Sequence, residues 1–140
     1  MPGVRPILLV DDSEVDVELT VLALQQTKID SLVEVARDGE EVLARIPGWE
    51  AGEPTPLVIL LDINMPRVDG LQVLRRLKGH PTLRVIPVVM LTSSSFSSDV
   101  SAAYLAGANS YVVKPVGFDQ IEQVSAQIES YWTVLNRCPT

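Results

Sequence analysis

The sequence predicts an α/β protein in which a parallel sheet is covered by helices on both faces. Segments with the pattern of a strand alternate five times with segments of helical pattern. Four of the five strand candidates are unbroken aliphatic runs, such as ILLV at residues 7–10, and such runs are typical of strands buried on both faces. The chain has 140 residues, a length that indicates one domain with its own core.

The first strand, residues 7–10, leads into an amphipathic helix. Ser13, with Asp16 three positions later, matches a capping box, which marks the start of a helix. Apolar residues then recur at helical spacing and predict the face that packs on the sheet: Val15, Leu19, Leu22 and Ala23.

The second unit is a strand at residues 32–36 that ends at the turn residues Asp38-Gly39. A short second helix follows, marked by Val42, Leu43 and Ile46. Residues 47–56, PGWEAGEPTP, are rich in Pro, Gly and Glu and predict a surface loop.

The third strand, residues 57–61, ends on Asp62, and a loop containing Pro66 leads to a third helix. Residues 87–91 and 110–113 predict the fourth and fifth strands, with a helix after each. The last helix has its apolar residues on one face and spans about residues 118–136, which is longer than the sheet needs.

Composition excludes several classes of function. The net charge of −7 makes binding to nucleic acid or to an anionic membrane unfavourable, because phosphate groups would repel the chain. One cysteine, Cys138, fits a reducing compartment, and no signal peptide or membrane span is evident. The sequence therefore predicts a cytoplasmic protein.

Polar side chains follow four of the five strands. Asp11 and Asp12 follow the first strand, Asp62 the third, Thr92 the fourth and Lys114 the fifth. In an open α/β sheet, ligands bind at the edge where the carboxyl ends of the strands meet. Each residue alone has an ordinary alternative as a helix cap, a turn residue or a solvated side chain. Their joint occurrence predicts one site with three carboxylates, a hydroxyl and an ammonium group.

These residue types indicate phosphoryl transfer to a carboxylate. Three carboxylates held close together repel each other, and a divalent cation relieves the repulsion. Oxygen ligands without His or Cys favour Mg²⁺, with Mn²⁺ as the alternative, over zinc. A carboxylate is a competent nucleophile toward phosphorus. The metal, the Lys114 ammonium and the Thr92 hydroxyl would stabilise charge on the phosphoryl oxygens.

Four segments together resemble the receiver domain of two-component response regulators. They are Asp11-Asp12, LLDINMPRVDG around Asp62, LTSS around Thr92 and SYVVKP around Lys114, and the resemblance covers residues 7 to about 130. It implies a flavodoxin-like (βα)5 three-layer sandwich with a parallel five-stranded sheet of order 2-1-3-4-5. It also implies a single receiver domain over residues 1–140, with the long C-terminal helix extending past the core.

The resemblance assigns the metal ligands. Asp62, the phosphoacceptor, and Asp12 bind Mg²⁺ through their carboxylates. The backbone carbonyl of Asn64 is a third protein ligand, and Asp11 acts mostly through water.

The resemblance also assigns the switch. Thr92 and Lys114 hold the phosphoryl oxygens, and Tyr111 is the switching aromatic residue, which is expected to turn inward when Thr92 moves. The Lys114–Pro115 peptide bond is expected to be cis. Such a protein accepts a phosphoryl group from a sensor histidine kinase in phosphorelay signal transduction. It is a phosphoprotein that catalyses only its own phosphorylation and dephosphorylation, and it is otherwise not an enzyme.

The segments SYWTVLNRCP, GANSYVVKP and HPTLRVIPVVMLT are similar to the stand-alone regulators paired with phytochrome kinases. This similarity implies a homodimer through the face made by helix 4, strand 5 and helix 5. Tyr131, Trp132 and Leu135 of the C-terminal helix would form an exposed apolar patch there. The alternative is that they fold back over their own core.

Three other functions remain open from the residues. A phosphatase of the haloacid-dehalogenase type would carry its nucleophile after the first strand, with a second Asp two residues later, whereas Asn64 stands two after Asp62. A flavodoxin-like cofactor carrier would need a phosphate-binding loop after strand 1, where Asp11-Asp12 would repel phosphate. A constitutive interaction module would not need the intact set of site residues.

Overall fold

The computed structural model describes residues 5–27, 29 and 31–139 and confirms the flavodoxin-like α/β fold. Five strands form one parallel sheet in the order β2-β1-β3-β4-β5: β1 (Ile7–Val10), β2 (Val33–Ala36), β3 (Val58–Leu61), β4 (Val88–Thr92) and β5 (Ser110–Val113). The main helices are α1 (Glu14–Gln25), α2 (Gly39–Glu50), α3 (Gly70–Lys78), α4 (Ser97–Leu105) and α5 (Phe118–Ser130). Two short elements complete the described chain, a 3₁₀ turn (Leu83–Val85) and a π-helical turn (Tyr131–Leu135).

The sheet lies between two apolar cores, which explains the unbroken aliphatic strands. Alternate residues of a strand point to opposite faces. In β1, Leu8 belongs to the core beneath α2, α3 and α4, and Leu9 belongs to the core beneath α1 and α5. All four residues of β1 and of β3 are buried. A polar side chain inside either strand would therefore be desolvated, so polar groups collect where the strands end.

The strand register places the carboxyl ends of the central strands level with one another. Val10, the last residue of β1, pairs with Leu61, the last residue of β3, and Leu61 pairs with Met90 of β4. The residues that follow β1 and β3 therefore leave the sheet side by side. Asp11 and Asp62 occupy these two positions.

The predicted apolar face of α1 is wrong at two of its four positions. Val15 is 65% exposed and Leu22 is 44% exposed. The helix instead buries a face that is rotated around its axis: Val17, Thr20, Ala23 and Leu24. Apolar residues occur all around this helix, so the spacing alone does not single out one face.

The prediction of a loop beginning at Pro47 is also wrong, because α2 continues to Glu50. Trp49 is only 8% exposed and packs in the core with the other buried residues of α2 and α3. Burial of this large aromatic side chain offsets the hydrogen bond that Pro47 cannot donate. The helix ends at Glu50 with Ala51 as its C-cap, and the following Gly52 adopts a positive φ of 105° that suits glycine.

The C-terminal helix changes character at Tyr131. The α-helix ends at Ser130, and the next five residues form a π-helical turn. Trp132 packs against the core beneath α1 and α5, whereas Tyr131 and Leu135 are 48% and 69% exposed. Of the three side chains predicted to form an exposed patch or to fold back over the core, one therefore folds back and two face solvent.

None of the helices in the described ranges is both long enough and apolar enough to cross a bilayer.

Candidate functional site

Three carboxylates meet at the edge where β1 and β3 end. Asp11 is 2% exposed and Asp62 is 7% exposed, while Asp12 faces solvent. One carboxylate oxygen of each residue lies within 4.8 Å of one from each of the others. The level ends of the two strands produce this cluster, as the sequence predicts.

Lys114 joins the cluster from the end of β5. Its Nζ donates to Asp11 Oδ2 at 2.5 Å and to Asp62 Oδ2 at 3.2 Å. A third hydrogen bond, to Asp16 Oδ2 at 2.9 Å, comes from the first turn of α1. The site as predicted from the sequence omits Asp16. The available clue is its position in the first turn of the helix that follows β1, close to the carboxyl end of that strand.

The pKa values of Asp11 and Lys114 are both raised above their ordinary values, for different reasons. Burial raises the pKa of Asp11, although hydrogen bonds from Lys114 and from the backbone N–H of Ser13 oppose the shift. Burial lowers the pKa of Lys114. Hydrogen bonds to Asp11 and Asp16 and the charge of Asp62 outweigh it and leave that pKa above its ordinary value. Lys114 is therefore a permanent cation at any physiological pH.

The site has the groups that a divalent cation requires. Asp62 Oδ1 is buried and has no hydrogen-bond partner within the described part of the chain. A buried carboxylate oxygen without a partner is costly, and a metal ion would satisfy it. The cluster offers oxygen ligands only, and one ammonium group cannot neutralise three carboxylates. These residues therefore fit Mg²⁺ or Mn²⁺.

The loop after Asp62 is held rigidly. Gly70 donates its N–H to Ile63 O at 2.8 Å, and Asp69 caps α3 in a capping box with Gln72. A Cβ added to Gly70 would lie only 2.0 Å from Asp62 O. The two backbone segments can therefore approach this closely only because residue 70 has no side chain. Asn64, the residue expected to offer a backbone carbonyl, is in this loop and is exposed.

Arg67, in the same loop, has a positive φ of 66°, which is uncommon for a residue with a side chain. Its guanidinium group binds Asp38 Oδ2 at 2.8 Å and Glu40 Oε1 at 2.7 Å. These ion pairs join the loop after β3 to the start of α2.

Thr92 and Tyr111 lie on the β4–β5 side of the site. Thr92 is fully buried at the end of β4, and its Oγ1 accepts a hydrogen bond from Ser94 N at 3.4 Å. Tyr111 packs against the core on the α4 side, and its hydroxyl donates to Ser94 O at 2.9 Å. Burial raises the pKa of Tyr111, a side-chain hydrogen bond with Ser94 opposes the shift, and the charges of Asp99 and Asp62 add to it, so the phenol is neutral. Ser94 thus connects the two side chains.

The Lys114–Pro115 peptide bond is trans, so the expectation of a cis bond is wrong for this structure. Trans is the more stable isomer of an X–Pro bond by about 0.5–1 kcal/mol unless the surrounding structure selects cis. Here Lys114 reaches all three of its carboxylate partners from the trans backbone.

Comparison with known proteins places this architecture in a family. The family of the response regulator receiver domain matches residues 7–126. Response regulator Rcp1 of Synechocystis is 38% identical over 130 residues, which is 91% of this chain and 88% of Rcp1. The crystal structure of Mn²⁺-bound Rcp1 matches with a TM-score of 0.87 at 36% identity, over 97% of this chain and 99% of that one.

Two further structures extend the likeness to phytochrome signalling. The phosphorylated cyanobacterial phytochrome response regulator RcpA has a TM-score of 0.89 at 34% identity, and the match covers 99% of this chain and 100% of RcpA. The bacteriophytochrome response regulator AtBRR is 44% identical with a TM-score of 0.74, over 97% and 100% of the two chains.

The fold and the acidic site at the strand ends define a receiver domain of the signalling class that binds Mg²⁺ or Mn²⁺ in its acidic pocket. The chain belongs to the response regulator receiver domain family, and it is close to the phytochrome response regulators.

Proposed function

We propose that Asp62 accepts a phosphoryl group from a sensor histidine kinase in a Mg²⁺-dependent reaction. The chain would act as a single receiver domain, with its own phosphorylation and dephosphorylation as its only catalysis. The observation that carries the proposal is the state of the Asp62 carboxylate. Oδ2 is bound by Lys114, and Oδ1 is buried without a partner beside two further carboxylates. With a cation bound at the site, the Asp62 carboxylate is positioned to act as a nucleophile.

In this reaction an oxygen of Asp62 forms a bond to phosphorus as the P–N bond of a phosphohistidine breaks, and the imidazole leaves with the electron pair. The product is an aspartyl phosphate. Mg²⁺, held by Asp12, Asp62 and the carbonyl of Asn64, with Asp11 acting through water, would neutralise charge on the phosphoryl oxygens. Lys114 supplies a second cation that already lies 3.2 Å from Asp62 Oδ2.

The added phosphoryl group would act on Thr92 and Tyr111. Its oxygens would attract the Thr92 hydroxyl, which now accepts a hydrogen bond from Ser94 N. Tyr111 is already packed inward and bound to Ser94 O, so phosphorylation would favour this arrangement over an outward one. A Tyr111→Ala variant that signals normally when phosphorylated would count against this role.

A phytochrome-type kinase is the partner that the relatives favour. RcpA and AtBRR, which match this chain along its length, are described as phytochrome response regulators. This partner would be tested by mixing the protein with ³²P-labelled phytochrome kinase and, as the control, with an unrelated labelled histidine kinase. Equal transfer from both would remove the support for a dedicated phytochrome partner.

The output surface would be the face of α4, β5 and α5 together with the C-terminal turn, and it would form a homodimer. Large apolar side chains are exposed along it: Leu105 at 90%, Val113 at 45%, Tyr131 at 48% and Leu135 at 69%. Light scattering after size exclusion would test this with Leu135→Glu. Leu32→Glu is the matched control, because Leu32 is 46% exposed beside β2 at the other edge of the sheet. Dissociation by the control alone, or a wild-type protein that is monomeric with and without phosphorylation, would refute the dimer.

Intact-mass spectrometry after incubation with acetyl phosphate and Mg²⁺ is the direct test of phosphorylation. One phosphoryl addition is expected for the wild type, and none for Asp62→Asn or in the presence of EDTA. Asp69→Asn is a control, because Asp69 lies in the same loop but caps α3. The absence of addition to folded wild-type protein, even with phosphoramidate, would leave a constitutive interaction module as the better function.

A further inference from the structure

Asp16 is a fourth carboxylate at the site, and it lies outside the three-carboxylate cluster. Asp11, Asp12 and Asp62 form that cluster, whereas Asp16 contacts it only through the Lys114 ammonium at 2.9 Å. The Asp16 side chain is 41% exposed and the Lys114 side chain 14% exposed. Asp16 can therefore act on the site through Lys114 rather than through the metal.

The Asp16 carboxylate binds Lys114 and does not complete the capping box that the sequence predicts. Ser13 caps α1 by accepting from Asp16 N at 3.3 Å, which is the first half of the motif. In the second half, the Asp16 carboxylate would accept from Ser13 N. That N–H donates instead to Asp11 Oδ1 at 2.9 Å. The Asp16 side chain is thus released from capping and turns to the ammonium.

An ammonium group has three N–H donors, and here each has its own carboxylate partner. Two of the partners, Asp11 and Asp62, are also groups of the metal and phosphoryl site. A bound cation would draw charge from both, and a phosphoryl group on Asp62 would replace its contact with Lys114. Asp16 is outside the cluster, so its contact with Lys114 would be kept through both events.

The surroundings of Lys114 leave room for it to move. A cavity of about 340 Å³ opens between α1 and α5, and Asp16 and Lys114 lie among its lining residues. Its walls are largely aliphatic, with Leu19, Leu91 and Val124 among them. A lysine stem has four rotatable bonds, so without a fixed partner for the ammonium group the apolar stem would pack against these walls in other rotamers and carry the ammonium away from Asp62.

We propose that Asp16 is a positioning residue for Lys114, which anchors the ammonium group beside Asp62 while metal and phosphoryl group occupy the other two partners. The role in phosphorylation rests on the function proposed above. The anchoring itself is a property of the Asp16–Lys114 contact and can be measured without any phosphoryl transfer.

The test compares Asp16→Asn, which keeps the shape and removes the charge, with Glu14→Gln. Glu14 is in the same turn of α1, with an 83% exposed side chain and one long ion pair to Arg37 at 3.8 Å. The Mg²⁺ affinity is measured by titration, and two further quantities are measured in saturating Mg²⁺. They are the exchange of the Lys114 ammonium protons with water, from ¹H–¹⁵N NMR, and the rate of phosphorylation by acetyl phosphate.

For Asp16→Asn we expect ammonium exchange to accelerate about five-fold and phosphorylation to slow by a similar factor. This factor corresponds to the strength of a partly exposed ion pair. Mg²⁺ affinity should stay within about two-fold of wild type, because Asp16 is not in the cluster. Glu14→Gln should leave all three quantities unchanged. Asp16→Glu, which restores the charge one methylene further along, should recover part of the rate.

Unchanged ammonium exchange in Asp16→Asn would overturn the proposal, and so would an equal slowing of phosphorylation by Asp16→Asn in a Lys114→Met background. If the wild type takes up no phosphoryl group, the proposed function fails separately. In that case the exchange measurement alone decides whether Asp16 anchors Lys114.

Discussion

Asp12→Asn should make the metal-free protein more stable and should remove its response to Mg²⁺. In the wild type, an Asp12 oxygen lies within 4.8 Å of one oxygen from each of Asp11 and Asp62. At that separation Coulomb repulsion is about 1 kcal/mol per pair in water and about 3.5 kcal/mol at an effective dielectric constant of 20. Asp12 is exposed, so the lower value applies. The attraction of Lys114 offsets part of this repulsion, so Asp12→Asn is expected to raise the free energy of unfolding of the metal-free protein by about 1 kcal/mol.

Urea denaturation in EDTA and in Mg²⁺ measures both effects. A ligand at 100 times its Kd stabilises a folded protein by about 2.7 kcal/mol, which is the gain expected for the wild type. Asp12→Asn loses a carboxylate ligand, so the same Mg²⁺ concentration should raise its free energy of unfolding far less. Glu18→Gln is the control, since Glu18 is exposed on α1 and its substitution changes the net charge by the same amount.

Two results would refute this reasoning. One is an Asp12→Asn variant that gains no more stability in EDTA than Glu18→Gln does, which would show that repulsion in the cluster is negligible. The other is equal stabilisation of Asp12→Asn and wild type by Mg²⁺, which would place the metal elsewhere.

Two further predictions concern the frame of the site. Gly70→Ala should lower the free energy of unfolding by about 1–3 kcal/mol or more, because the new Cβ would meet Asp62 O at 2.0 Å; a midpoint in urea unchanged from wild type would contradict the close approach. The raised pKa of Lys114 makes its ion pairs fully stabilising below its ordinary value of 10.5, and this stability is lost as the pH rises through the folded pKa. Above pH 10.5 the free energy of unfolding of the wild type should therefore fall by about 1.4 kcal/mol per pH unit more than that of Lys114→Met. Free energies from urea titrations that fall in parallel for the two proteins would refute the ion pairing.

The sequence alone determined the sheet and the polar ends of its strands. Unbroken aliphatic runs are incompatible with a solvated sheet face, so they predict burial on both sides, as the two cores confirm. Once the strands are parallel, their carboxyl ends share an edge, and Asp11, Asp12 and Asp62 cluster there. These inferences need only local patterns and the general geometry of α/β sheets.

Helix faces and boundaries could be predicted only in part. The apolar residues of α1 are spread around the helix, and the buried face is selected by the sheet beneath it, at Val17 and not at Val15. Pro47 is a local signal for a loop, but burial of Trp49 extends α2 past it. In both cases packing with distant residues overrides the local pattern.

Only the tertiary structure decided which partners the site residues have. Asp16 looked like a capping residue in the sequence, yet its carboxylate binds Lys114, which is 98 positions away. Trp132 packs on the core, whereas Tyr131 and Leu135 of the same turn face solvent. Such contacts depend on how α1, β5 and α5 pack around the sheet. Two side chains that are separated by most of the chain have no regular spacing in the sequence from which their contact could be predicted.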